Sequence, residues 1–189
     1  AKKSFWKHSS ALCVNIDYGI FPYTSSSSTI AAYGPIGAGI PGTSLDHIVG
    51  VLKAYSTCVG AGPFVAEKAM SESWLEELRQ AGGEYGAATG RPRRVGPFDA
   101  VASRYGLKCQ NADQIALTKL DVLSGHDKLP VCVAYDVNGD LTKEFPFGAD
   151  LDAAKPVFEY LPGWNCDISK CRKPEDLPKE AMDYVRYIE

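Results

Sequence analysis

Apolar residues recur along the chain with two periods, and long stretches between them follow neither. Leu45, Ile48, Val49, Leu52 and Tyr55 follow Thr43 or Ser44 at helical spacing, which predicts a capped helix over 44–57 with His47 off its apolar face. The same period predicts a helix over 67–80, with Trp74, Leu75 and Leu78 on one side and a stop at Ala81-Gly82-Gly83. Another covers 98–108, with Asp99 in the first turn, where the helix dipole favours an acid. Leu177, Ala181, Tyr184, Val185 and Ile188 make 174–189 an amphipathic closing helix.

Shorter apolar runs read as strands. Residues 11–17 end in a polar pair, the pattern of a buried parallel strand whose carboxyl end opens toward a ligand. The first half of 114–121 is a strand, and 131–137 with 140–145 flank Asn138-Gly139, a tight hairpin turn. Residues 156–160 form one more strand before a turn at 161–164. Strands alternating with helices predict an α/β fold, and a chain of 189 residues suits one domain over 1–189.

Composition narrows the classes. With 45% hydrophobic residues, 23% charged residues and a formal charge of -3, the chain is neither disordered nor a surface that seeks nucleic acid as a whole. Any anion site is therefore local. The six cysteines have no C-x-x-C pair and read as reduced, and neither they nor the scattered His8, His47 and His126 make a zinc set. No stretch approaches the roughly 20 apolar residues that span a bilayer, and AKKSFWKHSS lacks the apolar centre of a signal peptide, so the expectation is a cytoplasmic protein.

Three stretches carry candidate chemistry. Residues 83–99, GEYGAATGRPRRVGPFD, bring glycines beside Arg91, Arg93 and Arg94, whose planar forks bind carboxylate or phosphate in bidentate fashion, with Pro92 holding two of them apart. Residues 18–42 are uncharged and rich in Gly, Pro and Ser, with hydroxyls from Thr24 to Thr29 able to bind phosphate. Residues 58–64, CVGAGPF, add backbone amides near Val59. The tetrapeptide Thr118-Lys119-Leu120-Asp121 follows a strand, and on a strand end the i, i+2 spacing would point Lys119 and Asp121 to one side. An aspartate there can accept from the N1–H and the exocyclic amine of guanine, whereas adenine would leave it unpaired. The arginine loop and this tetrapeptide are expected to converge on one cleft.

The motifs GAATGR with Arg93, the tetrapeptide, KAYSTCVGAGPF from Lys53 and VFEYLPGW from Val157 resemble adenylosuccinate synthetase, in the order that family shows them. The resemblance runs from Asp17-Tyr18-Gly19 to Tyr187-Ile188-Glu189 but matches only about the C-terminal half of a full-length member. It implies a P-loop-NTPase-like mixed, mainly parallel sheet flanked by helices, present only as its C-terminal part. It also implies an enzyme that joins inosine monophosphate to L-aspartate at the expense of GTP, with Mg²⁺, as a cytoplasmic homodimer binding neither nucleic acid nor membrane. Ala87, Ala88, Thr89, Gly90 and Arg91 would form the aspartate loop, and Ser25, Val59 and Ser10 would meet inosine monophosphate. Arg93, Lys119, Leu120 and Asp121 would serve GTP. The family's catalytic base and acid, its phosphate-binding loop and its metal ligands would lie outside this segment. The chain departs from the family at Ala88, Ser10, Pro97 and Cys58, each a loss of contacts and not a reversal of charge. The alternatives are a divergent or truncated non-catalytic module that binds guanine nucleotide, and an RNA-binding piece using Arg91–Arg94.

Overall fold

The computed structural model describes residues 12–189. In chain order it contains α1 (Tyr33–Gly37), β1 (Val49–Lys53), β2 (Ser56–Cys58), α2 (Glu72–Gly82), β3 (Arg94–Gly96), β4 (Phe98–Asp99), α3 (Ala100–Gln110) and β5 (Gln114–Thr118). Then follow β6 (Lys128–Val137), β7 (Asp140–Thr142), α4 (Ala149–Ala153), β8 (Lys155–Pro162) and α5 (Lys179–Ile188). The long β6 is central: β4 pairs with it in parallel, while β7 and β8 pair with it antiparallel. Two smaller ladders join β1 to β5 in parallel and β2 to β3 antiparallel. The architecture is mixed α/β with helices and parallel pairs, as expected from the alternation of elements, and antiparallel pairs complete it.

Local chemistry explains why α2 and α3 begin and end where they do. The Ser71 hydroxyl accepts from the Trp74 amide at 3.3 Å, and α2 ends on Gly83 in the left-handed region. Leu75 and Leu78 face inward, each contributing roughly 1.5–3 kcal/mol of burial. Asp99 is the N-cap of α3, one carboxylate oxygen accepting from the Ala102 amide at 3.0 Å and the other from the Tyr135 hydroxyl at 2.6 Å. Burial pushes its carboxyl up, against the lowering effect of these donors. One apolar cluster joins Tyr55, Leu78, Val95, Leu129, Trp164 and Tyr184, and the Tyr184 hydroxyl donates to the Ala54 carbonyl at 2.7 Å, fastening α5 to the end of β1. A second cluster gathers Phe64, Val101, Tyr135, Phe145 and Leu151.

Several sequence expectations give way. The helix expected over 44–57 is two strands instead, because β1 lies in register beside β5 and the Asp113 carboxylate accepts from the Ile48 amide at 2.7 Å. Val49, Gly50 and Val51 are weak helix formers, and a partner some sixty residues away outweighs local apolar spacing. The expected strand over 11–17 is, in its described part, a 3-10 turn at Leu12–Val14 followed by a turn in which the Asn15 side-chain Oδ1 accepts from the amides of Asp17 and Tyr18. The second helix starts at Glu72, after a separate 3-10 turn at Val65–Glu67. The hairpin about Asn138-Gly139 is present, and the closing helix spans Lys179–Ile188 after a 3-10 turn at Pro174–Asp176. All six cysteines are unpaired. No helix of the described residues is long and apolar enough to cross a membrane.

Candidate functional site

The glycine-arginine loop is a closed turn. Tyr85 and Pro92 form an antiparallel bridge, the Gly86 amide donates to the Arg91 carbonyl at 2.8 Å, and the Gly90 amide donates to the Gly86 carbonyl at 2.8 Å. Thr89 folds back over Gly86, where a Cβ would stand 2.6 Å from its hydroxyl and would push that side chain aside. Ala87, Ala88, Thr89, Gly90 and Arg91 are all exposed at the tip. The Thr89 hydroxyl accepts from the Arg91 amide at 3.4 Å.

The adjacent arginines part company. Arg93 precedes β3 and Arg94 opens it, and the alternation of an extended chain sends them opposite ways. Arg94 is committed to the fold: its guanidinium pairs with Glu67, donates to the Gly62 carbonyl at 2.7 Å and lies over the Phe64 ring at 5.5 Å. It is not a free fork for an anion, contrary to the sequence reading. Arg93 instead turns to Glu84, donating from a terminal nitrogen at 3.0 Å, while its backbone amide donates to the Glu84 carbonyl at 2.9 Å.

Glu84 is the residue that sequence reasoning missed. Its side chain is 2% exposed, yet its carboxylate accepts from the Lys53 ammonium at 2.7 Å and the Tyr55 hydroxyl at 2.6 Å as well as from Arg93. Burial pushes this carboxyl up, but the donated bonds outweigh it and the pKa is lowered below the ordinary glutamate value. Tyr55 is driven the other way, by burial first and then by Glu84. The signal available in the sequence was a lone acid placed among glycines before the arginines.

The tetrapeptide reaches the same place by another route. Lys119 sits in the left-handed region at φ 62, and Asp121 lies on the 3-10 turn Leu120–Leu123, so the strand-end alternation expected for them does not hold. The Lys119 ammonium donates to the Gly82 carbonyl at 3.0 Å, two residues before Glu84. Asp121 is exposed and close enough to Tyr55 for its charge to raise that phenol, while Leu120 packs against the core. Arg93 and Lys119 thereby reach residues 82–84, and Asp121 follows Lys119 on the adjoining 3-10 turn.

The hydroxyl loop and the Val59 loop form a second group. The Ser25 hydroxyl donates to the Ser27 carbonyl at 3.2 Å, and the Ser28 hydroxyl is buried without a hydrogen-bond partner among the described residues. A Cβ on Gly62 would stand 2.8 Å from the Tyr23 ring, which seats this loop on the residues after β2. Val59 is 74% exposed at the end of β2, whose Cys58 pairs in register with Arg94. Ser10 lies outside the described residues. Of the departures noted above, Ala88 is at the exposed tip, Pro97 is fully buried between β3 and β4, and burial pushes the Cys58 thiol up.

A family model described as adenylosuccinate synthetase matches residues 6–189. The chain is 46% identical over 189 residues to adenylosuccinate synthetase of Thermobifida fusca, covering 100% of this chain and 44% of that protein. It is 48% identical over 180 residues to that of Kineococcus radiotolerans, covering 95% and 42%. Its fold matches that of fully ligated adenylosuccinate synthetase from Plasmodium falciparum with a TM-score of 0.88 at 38% identity, over 94% of this chain and 43% of that one. The chain spans about two fifths of the length of the curated relatives it matches. Matched in sequence and in fold along nearly its whole length, the chain belongs to the adenylosuccinate synthetase family.

Proposed function

We propose that this segment supplies the amino-acid loop and the guanine side of a GTP-dependent ligase that joins inosine monophosphate and L-aspartate to give adenylosuccinate in AMP biosynthesis. The observation that carries the reading is that Arg93 and Lys119, with Asp121 on the turn after Lys119, reach residues 82–84 directly before the exposed Ala87–Arg91 tip. Thr89 and Arg91 hold the carboxylates of aspartate, and Arg93 faces GTP. Asp121 accepts from the guanine edge while the Lys119 stem lies along the base. Ser25 and the Val59 backbone meet inosine monophosphate, together with Ser10.

The reaction proposed has two steps: transfer of the γ-phosphoryl group of GTP to the purine 6-oxygen, then displacement of that phosphate by the aspartate amine. Both build negative charge in a crowded site, where pre-placed cationic groups stabilise it without reorganising. Among the described residues there is no group of three His, Cys, Asp or Glu that could hold a metal ion, and the Mg²⁺ of this reading is proposed to be held by the rest of the enzyme. The catalytic base and acid are proposed there too. A cytoplasmic homodimer is part of the same reading.

The test is turnover by the complete enzyme with inosine monophosphate, L-aspartate, Mg²⁺ and either GTP or ATP. Adenylosuccinate formed with GTP and much more slowly with ATP is the expected result. Product formed equally well with both, or with neither, overturns the reading.

A further inference from the structure

We infer that Glu84 is a positioning residue: its buried carboxylate sets the guanidinium of Arg93 for nucleotide binding. The inference rests on the ligase reading and deepens it.

A carboxylate that is 2% exposed is costly to keep ionised unless its lone pairs are filled, and here two cations and a phenol fill them. The bonds divide by oxygen. One carboxylate oxygen takes Lys53 and Tyr55, and the other takes Arg93 alone. Glu84 therefore uses one edge of the Arg93 fork. The Arg93 side chain remains 36% exposed and only one of its guanidinium nitrogens donates to Glu84, which leaves donors for an anion.

The same carboxylate links three segments. Lys53 is the last residue of β1, in register with Thr118, and Thr118 leads directly into Lys119–Asp121. Tyr55, buried two residues after Lys53, donates to the same carboxylate oxygen, and the charge of Asp121 adds to the rise of its phenol. Arg93 is tied to Glu84 by both backbone and side chain. An exposed ion pair would contribute little, but a buried acid with fixed donors on two sides sets geometry, and small displacements of a charged fork weaken phosphate binding steeply. Lys53 balances the carboxylate, leaving the positive charge of Arg93 for the ligand.

The experiment uses the complete enzyme and a double-mutant cycle. Glu84→Gln keeps the size and removes the charge; KM for GTP is expected to rise about tenfold, with KM for L-aspartate and kcat moving by less than about threefold. In the Arg93→Leu background the same change is expected to alter KM for GTP by less than about twofold, because its route has already been cut. Glu84→Asp, which keeps the charge, should restore part of the GTP affinity; it also carries the test alone, by the same selective rise in KM for GTP, if Glu84→Gln does not fold. Independent, multiplicative effects of the two substitutions, or equal losses for all substrates, overturn the inference and leave Glu84 a structural anchor. A wild-type enzyme without GTP dependence is seen before any substitution and overturns the ligase reading itself.

Discussion

The Lys119 ammonium donates to the carbonyl of Gly82 at 3.0 Å, so the turn after β5 is fastened to the end of α2, just ahead of the arginine loop. That lysine also occupies the left-handed region, at φ 62, which costs a non-glycine residue roughly 1 kcal/mol. Lys119→Gly separates the two facts. The thermal midpoint is expected to hold or rise as the backbone strain is relieved, while KM for GTP in the complete enzyme increases about tenfold from loss of the side chain. Parallel loss of both would show that the lysine serves only to hold the turn.

Asp121 tests the base assignment. Asp121→Asn exchanges an acceptor for a group that can also donate, and use of GTP is expected to fall by about 10- to 100-fold while xanthosine triphosphate becomes the better substrate. Steady-state rates with the two nucleotides decide it, and an unchanged preference removes Asp121 from the base contact.

Arg91 and Arg94 are expected to behave as different residues despite their shared loop. Arg91 is exposed at the tip, so Arg91→Leu should leave the unfolding midpoint in place and raise KM for L-aspartate more than KM for GTP. Arg94→Met strips donors from Glu67 and from the Gly62 carbonyl and is expected to destabilise the fold by about 1–3 kcal/mol in denaturant melts. Similar stability losses for both would contradict the split between them.

Asp99 gives the fold a definite pH response. Burial, opposed by Tyr135 and the helix amides, holds its carboxyl above the ordinary aspartate value in the folded protein. A pKa raised by folding stabilises fully below the unfolded value of about 4, and that contribution is lost as pH rises through the folded value. The thermal midpoint of the wild type is therefore expected to fall relative to that of Asp99→Asn as pH increases from about 4 toward neutrality. A constant difference across that range would mean that Asp99 does not change its ionisation there.

Amphipathic spacing was enough to find α2 and α5, because Leu75, Leu78, Ala181 and Tyr184 each occupy an inward face whatever surrounds them. Asn138-Gly139 announced its hairpin for the same reason: positive φ at both positions is a local requirement. Spacing misled at 44–57, where of the five apolar residues at helical intervals Val49 and Leu52 lie in β1, Tyr55 is buried between β1 and β2, and Leu45 and Ile48 precede β1. Nothing near those residues announced β5 as their partner.

The chemical inventory of the candidate site was written in the chain: which forks, hydroxyls and acids are present, and the order in which they occur. What each one faces was settled by folding. The pleat of an extended chain sends Arg93 to Glu84 and Arg94 to Glu67, and a parallel ladder brings Lys53 beside the segment that leads to Asp121. Residue types and local periods are properties of neighbours in sequence, whereas the burial of Glu84 beneath Lys53, Tyr55 and Arg93 depends on pairings across nine to thirty-one residues, which only the assembled structure supplies.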